Sequence, residues 1–145
     1  MDYRKLAEVF FDTVECTPKP ASAKLSGLSR GEMATLKYLA AVPCAAPGEI
    51  SAAQEITTAR VANILAGLEK KELIGRVQDT GDRRKVIVTI TEKGRREVER
   101  KRQEALDGLS RVLERMGESD ASEFIRLTEK LHGILREEAA GKEHG

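Results

Sequence analysis

The chain of 145 residues carries a net charge of +1, with 34% charged, 40% hydrophobic and 3% aromatic residues and no Trp. This length suits one domain rather than two independent cores, and the scarcity of rings excludes a pocket built chiefly by aromatic stacking, so any ligand site must be mostly aliphatic. Cys16 and Cys44 make neither a disulfide framework nor a Cys/His metal set. The charged opening residues lack the apolar core of a leader, and no run approaches the roughly 18 apolar residues of a membrane span, so a cytoplasmic location is expected.

Residues 2–15 place Leu6, Val9, Phe10 and Val14 at helical spacing, flanked by Tyr3 and Phe11, and are expected to form an amphipathic helix. The following CTPKPASAKLSG has two prolines and no periodicity, so it reads as a loop. Ser29 and Glu32 then stand as the two members of a capping box, with Leu28 and Met33 in the positions of a hydrophobic staple. The helix they start continues through Leu36, Leu39 and Ala40 and must end before Pro43.

Pro47 suits the first position of a short helix, with Glu49 in its first turn beside the positive end of the dipole. After a break near Gln54 to Ile56, Thr57 or Thr58 can cap a second helix whose Val61, Ile64, Leu65 and Leu68 share one face. Thr57, Arg60, Asn63 and Gly67 fall away from that face. Two strand-like runs, LIGRVQD and KVIVTIT, follow around the turn residues Asp79, Gly81 and Asp82. Val86, Val88 and Ile90 alternate with Lys85, Ile87, Thr89 and Thr91 at the period of a half-buried strand. Thr91 can cap a long, polar helix to about Met116, in which Val98, Ala105, Leu109, Val112 and Met116 are sparse. Gly117 breaks it, and a last helix beginning in SDASEF carries Phe124, Leu127, Leu131 and Leu135 before a polar tail.

The fold class expected from this order is mainly α with a small β-hairpin wing, a winged helix-turn-helix. Residues 1–145 are expected to make a single domain with a winged-helix lobe at 28–94 and terminal helices, 1–16 and 95–140, forming a dimerisation region. The small central lobe cannot bury the stripes of the flanking helices, so a second copy is expected to cover them, most simply in a two-fold homodimer.

Charge narrows the function. Residues 60–102 hold 13 Lys and Arg against 7 Asp and Glu, whereas the remainder holds 12 against 17, and a basic zone on an otherwise acidic chain suggests a polyanion footprint. A helix-turn-helix followed by a hairpin can set its second helix in the major groove, about 12 Å wide, and its hairpin on the adjacent backbone or minor groove. On that geometry Arg60 and Asn63 are candidates for base edges, since a guanidinium grips guanine and an amide grips adenine with two hydrogen bonds. Thr57 and Thr58 stand at the helix start, near phosphates and base edges. Arg83, Arg84 and Lys85 supply wing cations, with Asp79 or Asp82 holding one arginine by a charge-assisted hydrogen bond. Arg95, Arg96, Arg100, Lys101 and Arg102 read as a solvated face. His132 and His144, without Cys or clustered acids, give no metal site. The chain has no Gly-rich phosphate loop and no nucleophile-base pair, so neither an enzyme nor a cofactor is expected.

Over residues 28–94 the sequence resembles the MarR family of winged-helix transcription regulators, through LSRGEM..LKYLA, PGEIS, TTARVANILAGLEKKELI and above all D..DRR..V.VT.TEKG. The resemblance implies a homodimer joined by its terminal helices, bound to a near-palindromic operator in double-stranded DNA. It implies a repressor released by a small-molecule effector between the DNA-binding lobe and the dimerisation helices. It maps the recognition helix onto residues 57–71 and the wing-tip arginine onto Arg83 or Arg84, with Asp82 as its structural partner. The linker has no feature that places effector-binding residues. The sequence departs from the family pattern at Glu72, where glycine usually ends the recognition helix. A left-handed residue there favours glycine, so Glu72 either costs about 1 kcal/mol or marks a different helix ending, which leaves the angle between helix and wing open. Two alternatives stand beside this reading. One branch of the family senses organic hydroperoxides through a first-helix cysteine, which makes Cys16 the candidate of a thiol-based redox-sensing repressor, given a depressed thiol pKa. The other is a winged-helix protein-interaction module whose basic face meets an acidic partner.

Overall fold

In a computed structural model of the chain, residues 1–15, 27–82 and 84–142 are described. Cys16, Arg83 and His144 lie outside them. The elements run α1 (Tyr3–Glu15), α2 (Arg30–Ala41), α3 (Pro47–Gln54), α4 (Thr58–Lys70), β1 (Ile74–Gln78), β2 (Val86–Ile90), α5 (Glu92–Met116) and α6 (Glu118–Lys142).

Local chemistry sets the boundaries. The Ser29 hydroxyl accepts from the Glu32 N–H at 3.2 Å and the Glu32 carboxylate accepts from the Ser29 N–H at 3.3 Å, so both halves of the capping box start α2. Val42 leaves helical geometry ahead of Pro43. Pro47 opens α3, which ends on Glu55 in the left-handed region at φ 52°. The Ser51 hydroxyl donates to the Ile56 carbonyl at 2.6 Å across the turn into α4. Of the two threonines able to cap α4, Thr57 does so, accepting from the Arg60 N–H at 3.2 Å.

The far end of α4 resolves the question raised by Glu72. Leu73 N–H donates to the Leu68 carbonyl at 3.0 Å and Glu72 N–H to that of Glu69 at 2.9 Å, the paired pattern of a Schellman ending. Glu72 holds φ 61°, so the helix ends as a glycine would end it and the glutamate carries the conformational cost.

β1 and β2 pair antiparallel, Ile74 opposite Ile90 through Gln78 opposite Val86. β2 has a further neighbour absent from the sequence reading. Ala45, just ahead of α3, exchanges two backbone hydrogen bonds with Val88, at 3.0 and 2.8 Å, so one residue acts as a third strand.

The core of the lobe gathers Leu36 and Leu39 of α2, Ile50 of α3, Val61, Leu65 and Leu68 of α4 and Val88 of β2, all essentially inaccessible. Each such side chain contributes about 2 kcal/mol by leaving water. Thr35 is also buried, and its hydroxyl donates to the Gln54 side-chain oxygen at 2.9 Å, linking α2 to α3. Gly94, in the first turn of α5, seals the base of the lobe. A Cβ there would lie 2.2 Å from the Leu73 carbonyl oxygen, a separation no side chain can adopt.

The chain divides into two compact units, residues 1–99 and 100–145, with α5 contributing to both. Gly94 is the one buried residue among those described in α5, and α6 has none. The stripes expected on the terminal helices are exposed: Phe10 by 56% in α1, Val112 by 55% in α5 and Leu135 by 51% in α6. Among the described residues no helix is long and apolar enough to cross a membrane.

Candidate nucleic-acid interface

The apolar face of α4 is fixed by the core, so its other face turns outward. Thr57, Thr58, Arg60 and Asn63 are all exposed on it. Gly67, expected on that face as a small outward residue, has another role. A Cβ at this position would lie 2.5 Å from Glu32 Oε1, so the missing side chain makes room for the carboxylate that caps α2.

That carboxylate is a junction. Besides the Ser29 N–H it accepts from Lys71 Nζ at 2.6 Å, and the same ammonium donates to the Gly27 carbonyl at 2.9 Å. The start of α2 is thereby tied to the end of α4. A second ion pair, Arg76 Nε to Glu69 Oε2 at 2.8 Å, joins β1 to the last turns of α4. The Thr91 hydroxyl donates to the Glu72 carbonyl at 2.8 Å and accepts from the Gly94 N–H at 3.0 Å, which fastens the start of α5 to the same corner. These contacts set the angle between helix and wing. They join residues far apart in sequence, and no spacing rule marks them.

At the wing tip, Asp79 and Asp82 each engage one carboxylate oxygen with the backbone. Asp79 Oδ1 accepts from Gly81 N–H and Asp82 Oδ1 from Arg84 N–H, each at 3.0 Å, while Asp79 N–H donates to the Lys85 carbonyl at 2.9 Å to close the loop. Arg84 and Lys85 are exposed. The Arg84 guanidinium forms no ion pair among the described residues, so the acid-to-arginine bond expected within the turn is not made by this arginine. Arg83 lies outside the described residues. On α5, Lys101 Nζ lies 3.1 Å from Glu104 Oε2, and Arg100 pairs with the same carboxylate. The Lys101 hydrogen bond is the main cause that holds the Glu104 carboxyl below its ordinary value.

Cys44 is an exposed free thiol. Among the described residues no group of three or more His, Cys, Asp or Glu could hold a metal ion.

Two helices joined by a tight turn, followed by a hairpin whose second strand is also held by a residue ahead of the first of those helices, define a winged helix-turn-helix. Residues 28–86 match the family model described as "MarR family". No curated protein matches the chain significantly. Solved structures share the fold. YusO from Bacillus subtilis is similar over 91% of this chain and 93% of its own, with TM-score 0.75 and 22% identity. FabT from Streptococcus pneumoniae, solved in complex with DNA, covers 94% of this chain and 99% of its own, with TM-score 0.65 and 21% identity. The transcriptional regulator Tm0710 from Thermotoga maritima covers 95% and 96%, with TM-score 0.67 and 19% identity.

Proposed function

We propose that the chain is a sequence-specific DNA-binding transcription regulator, a homodimeric repressor released by a small-molecule effector. The observation that carries the DNA-binding reading is the pairing of an exposed α4 face, bearing Thr57, Thr58, Arg60 and Asn63, with a wing bearing exposed Arg84 and Lys85. The match of residues 28–86 to the MarR family model supports it, as does the fold shared with FabT in its complex with DNA.

In this reading α4 enters the major groove, Arg60 and Asn63 meet base edges, and Thr57 and Thr58 meet the backbone at the helix start. Arg83, Arg84 and Lys85 bring positive charge to the neighbouring backbone or minor groove. Residues 28–94 act as the DNA-binding lobe. Residues 1–16 and 95–140 act as dimerisation helices, because their exposed apolar stripes need a cover and a second copy supplies a matching one. Two lobes then address half-sites about one helical turn, roughly 34 Å, apart on a near-palindromic operator. Such a regulator works in the cytoplasm and is not an enzyme.

Selection of duplexes from a random pool by the purified protein should return a near-palindrome. Arg60→Ala should then weaken binding to the selected duplex by tenfold or more while changing affinity for random duplex less, since a bidentate base contact is worth about 1–3 kcal/mol of discrimination. Equal losses on both duplexes overturn the base-reading role of Arg60. No shift of any duplex, together with capture of an acidic polypeptide, overturns the reading itself.

A further inference from the structure

Arg60 has a second environment besides the outer face of α4. It lines a hollow of about 530 Å³ between the starts of α2 and α4 and the end of α3, with Arg30, Gly31, Ala34, Gln54, Ile56 and Ile64. The helices approach closely here because residue 31 has no side chain: a Cβ on Gly31 would lie 2.9 Å from Ile64 Cδ1 and 3.8 Å from Arg60 Nη2. The Arg60 guanidinium therefore lies against the first turn of α2, where Arg30 stands.

Three features of the hollow point to an anionic occupant. Its two charged groups are both guanidinium, and no carboxylate lines it. Neither Arg30 nor Arg60 forms a side-chain ion pair or hydrogen bond among the described residues, although Glu32 stands two residues from Arg30; that carboxylate is engaged by Ser29, Lys71 and the close approach of Gly67. The remaining polar group of the lining, the Gln54 amide, gives its oxygen to Thr35 and leaves Nε2 shielded from water without a partner. With that oxygen engaged by the Thr35 hydroxyl, the amide presents no free acceptor that would oppose an anion. Ala34, Ile56 and Ile64 supply the aliphatic part of the lining and bring no charge that would oppose an anion.

We infer that this hollow seats one backbone phosphate of the bound duplex, which makes Arg30 a DNA contact. The inference rests on the DNA-binding reading and adds to it a phosphate ligand outside α4 and the wing. The hollow borders the face that addresses the groove, since Arg60 belongs to both. An arginine has five N–H donors in a rigid fork, so Arg60 can complete the phosphate seat and still present N–H groups to a base edge. Arg30 shares the phosphate with Arg60, makes no base contact, and holds the register of α4 on the duplex without reading sequence.

Arg30 is exposed, unpaired and in the first turn of α2, so Arg30→Ala preserves the fold. The test compares wild type, Arg30→Ala and Arg30→Lys on the selected duplex and on random duplex over a salt series. Arg30→Ala should lose about tenfold in affinity on both duplexes alike. The slope of log affinity against log salt should flatten by about 0.9, the value for one phosphate contact. Arg30→Lys should restore most of the slope. Unchanged affinity and slope in Arg30→Ala, with wild type binding normally, overturn the inference alone, whereas wild type that binds no duplex fails the underlying reading. A loss confined to the selected duplex overturns the phosphate role. Thermal stabilisation of wild type by inorganic phosphate at constant ionic strength, absent in Arg30→Ala and with duplex affinity untouched, reassigns the hollow to a free oxyanion and overturns occupancy by DNA.

Discussion

At the C-terminal end of α4, Lys71 joins Glu32 and the Gly27 carbonyl, Glu69 meets Arg76, and Glu72 is gripped by Thr91. At the N-terminal end, Arg60 and its neighbour Arg30 find no acidic partner among the described residues. The same helix thus has one end whose charges neutralise each other inside the lobe and one whose charges are left for something outside it. Opposite charges that pair within the chain fix position, and unpaired cations on a rigid support are free to neutralise a ligand's charge without first breaking an internal bond. The fixed end gives the free end its precision.

Substitutions at the fixed end sharpen this contrast, and the largest effect is expected at Gly94. Gly94→Ala forces a methyl group onto the Leu73 backbone oxygen, which can move only with the end of α4, and should cost about 3 kcal/mol in urea unfolding. A loss below about 0.5 kcal/mol would show that this corner is not rigid. Glu72→Gly removes the left-handed strain while keeping the backbone bonds of the helix ending, and its 3.7 Å contact with Lys93 is exposed and weak. It should stabilise the protein by about 1 kcal/mol, read as a higher denaturant midpoint at an unchanged slope. The smallest effect belongs to the Arg76 and Glu69 pair, whose side chains are 32% and 51% exposed. A double-mutant cycle with Arg76→Gln and Glu69→Gln should return a coupling of about 0.5 kcal/mol. Coupling near zero would leave the hairpin ladder alone to hold the wing.

The parts of the fold legible in sequence were those governed by rules of short range. The capping box at Ser29 and Glu32, the four apolar positions of α4, the alternation of β2 and the left-handed requirement at Glu72 each depend on residues a few positions apart. Ala45 escaped because a single bridging residue has no period. Gly67 and Gly94 are visible as letters, but the atoms that fill their missing Cβ positions, Glu32 Oε1 and the Leu73 oxygen, come from other elements. At the wing, backbone donors take one oxygen of each aspartate. Asp79 and Asp82 are short side chains in a turn, so the nearest donors are the backbone N–H groups of Gly81 and Arg84. Arg30 hid inside the capping box, as one of the two residues between its defining members, and only the approach of α4 reveals what it faces.

The bridge between Ala45 and Val88 bears on how this wing can change length over evolutionary time. β2 is held on one side by β1, in a register that ends at Gln78 opposite Val86, and on the other by Ala45 at its middle residue. A residue inserted within β2 would carry Val88 and Ile90 from the buried side to the open one, because strand side chains alternate. Residues gained or lost between Asp79 and Lys85 disturb neither neighbour, since that stretch lies beyond the last backbone hydrogen bond joining the two strands. Insertions and deletions can therefore accumulate around Arg83 and Arg84, letting the tip be refitted to a different groove while the strand beneath it stays in place.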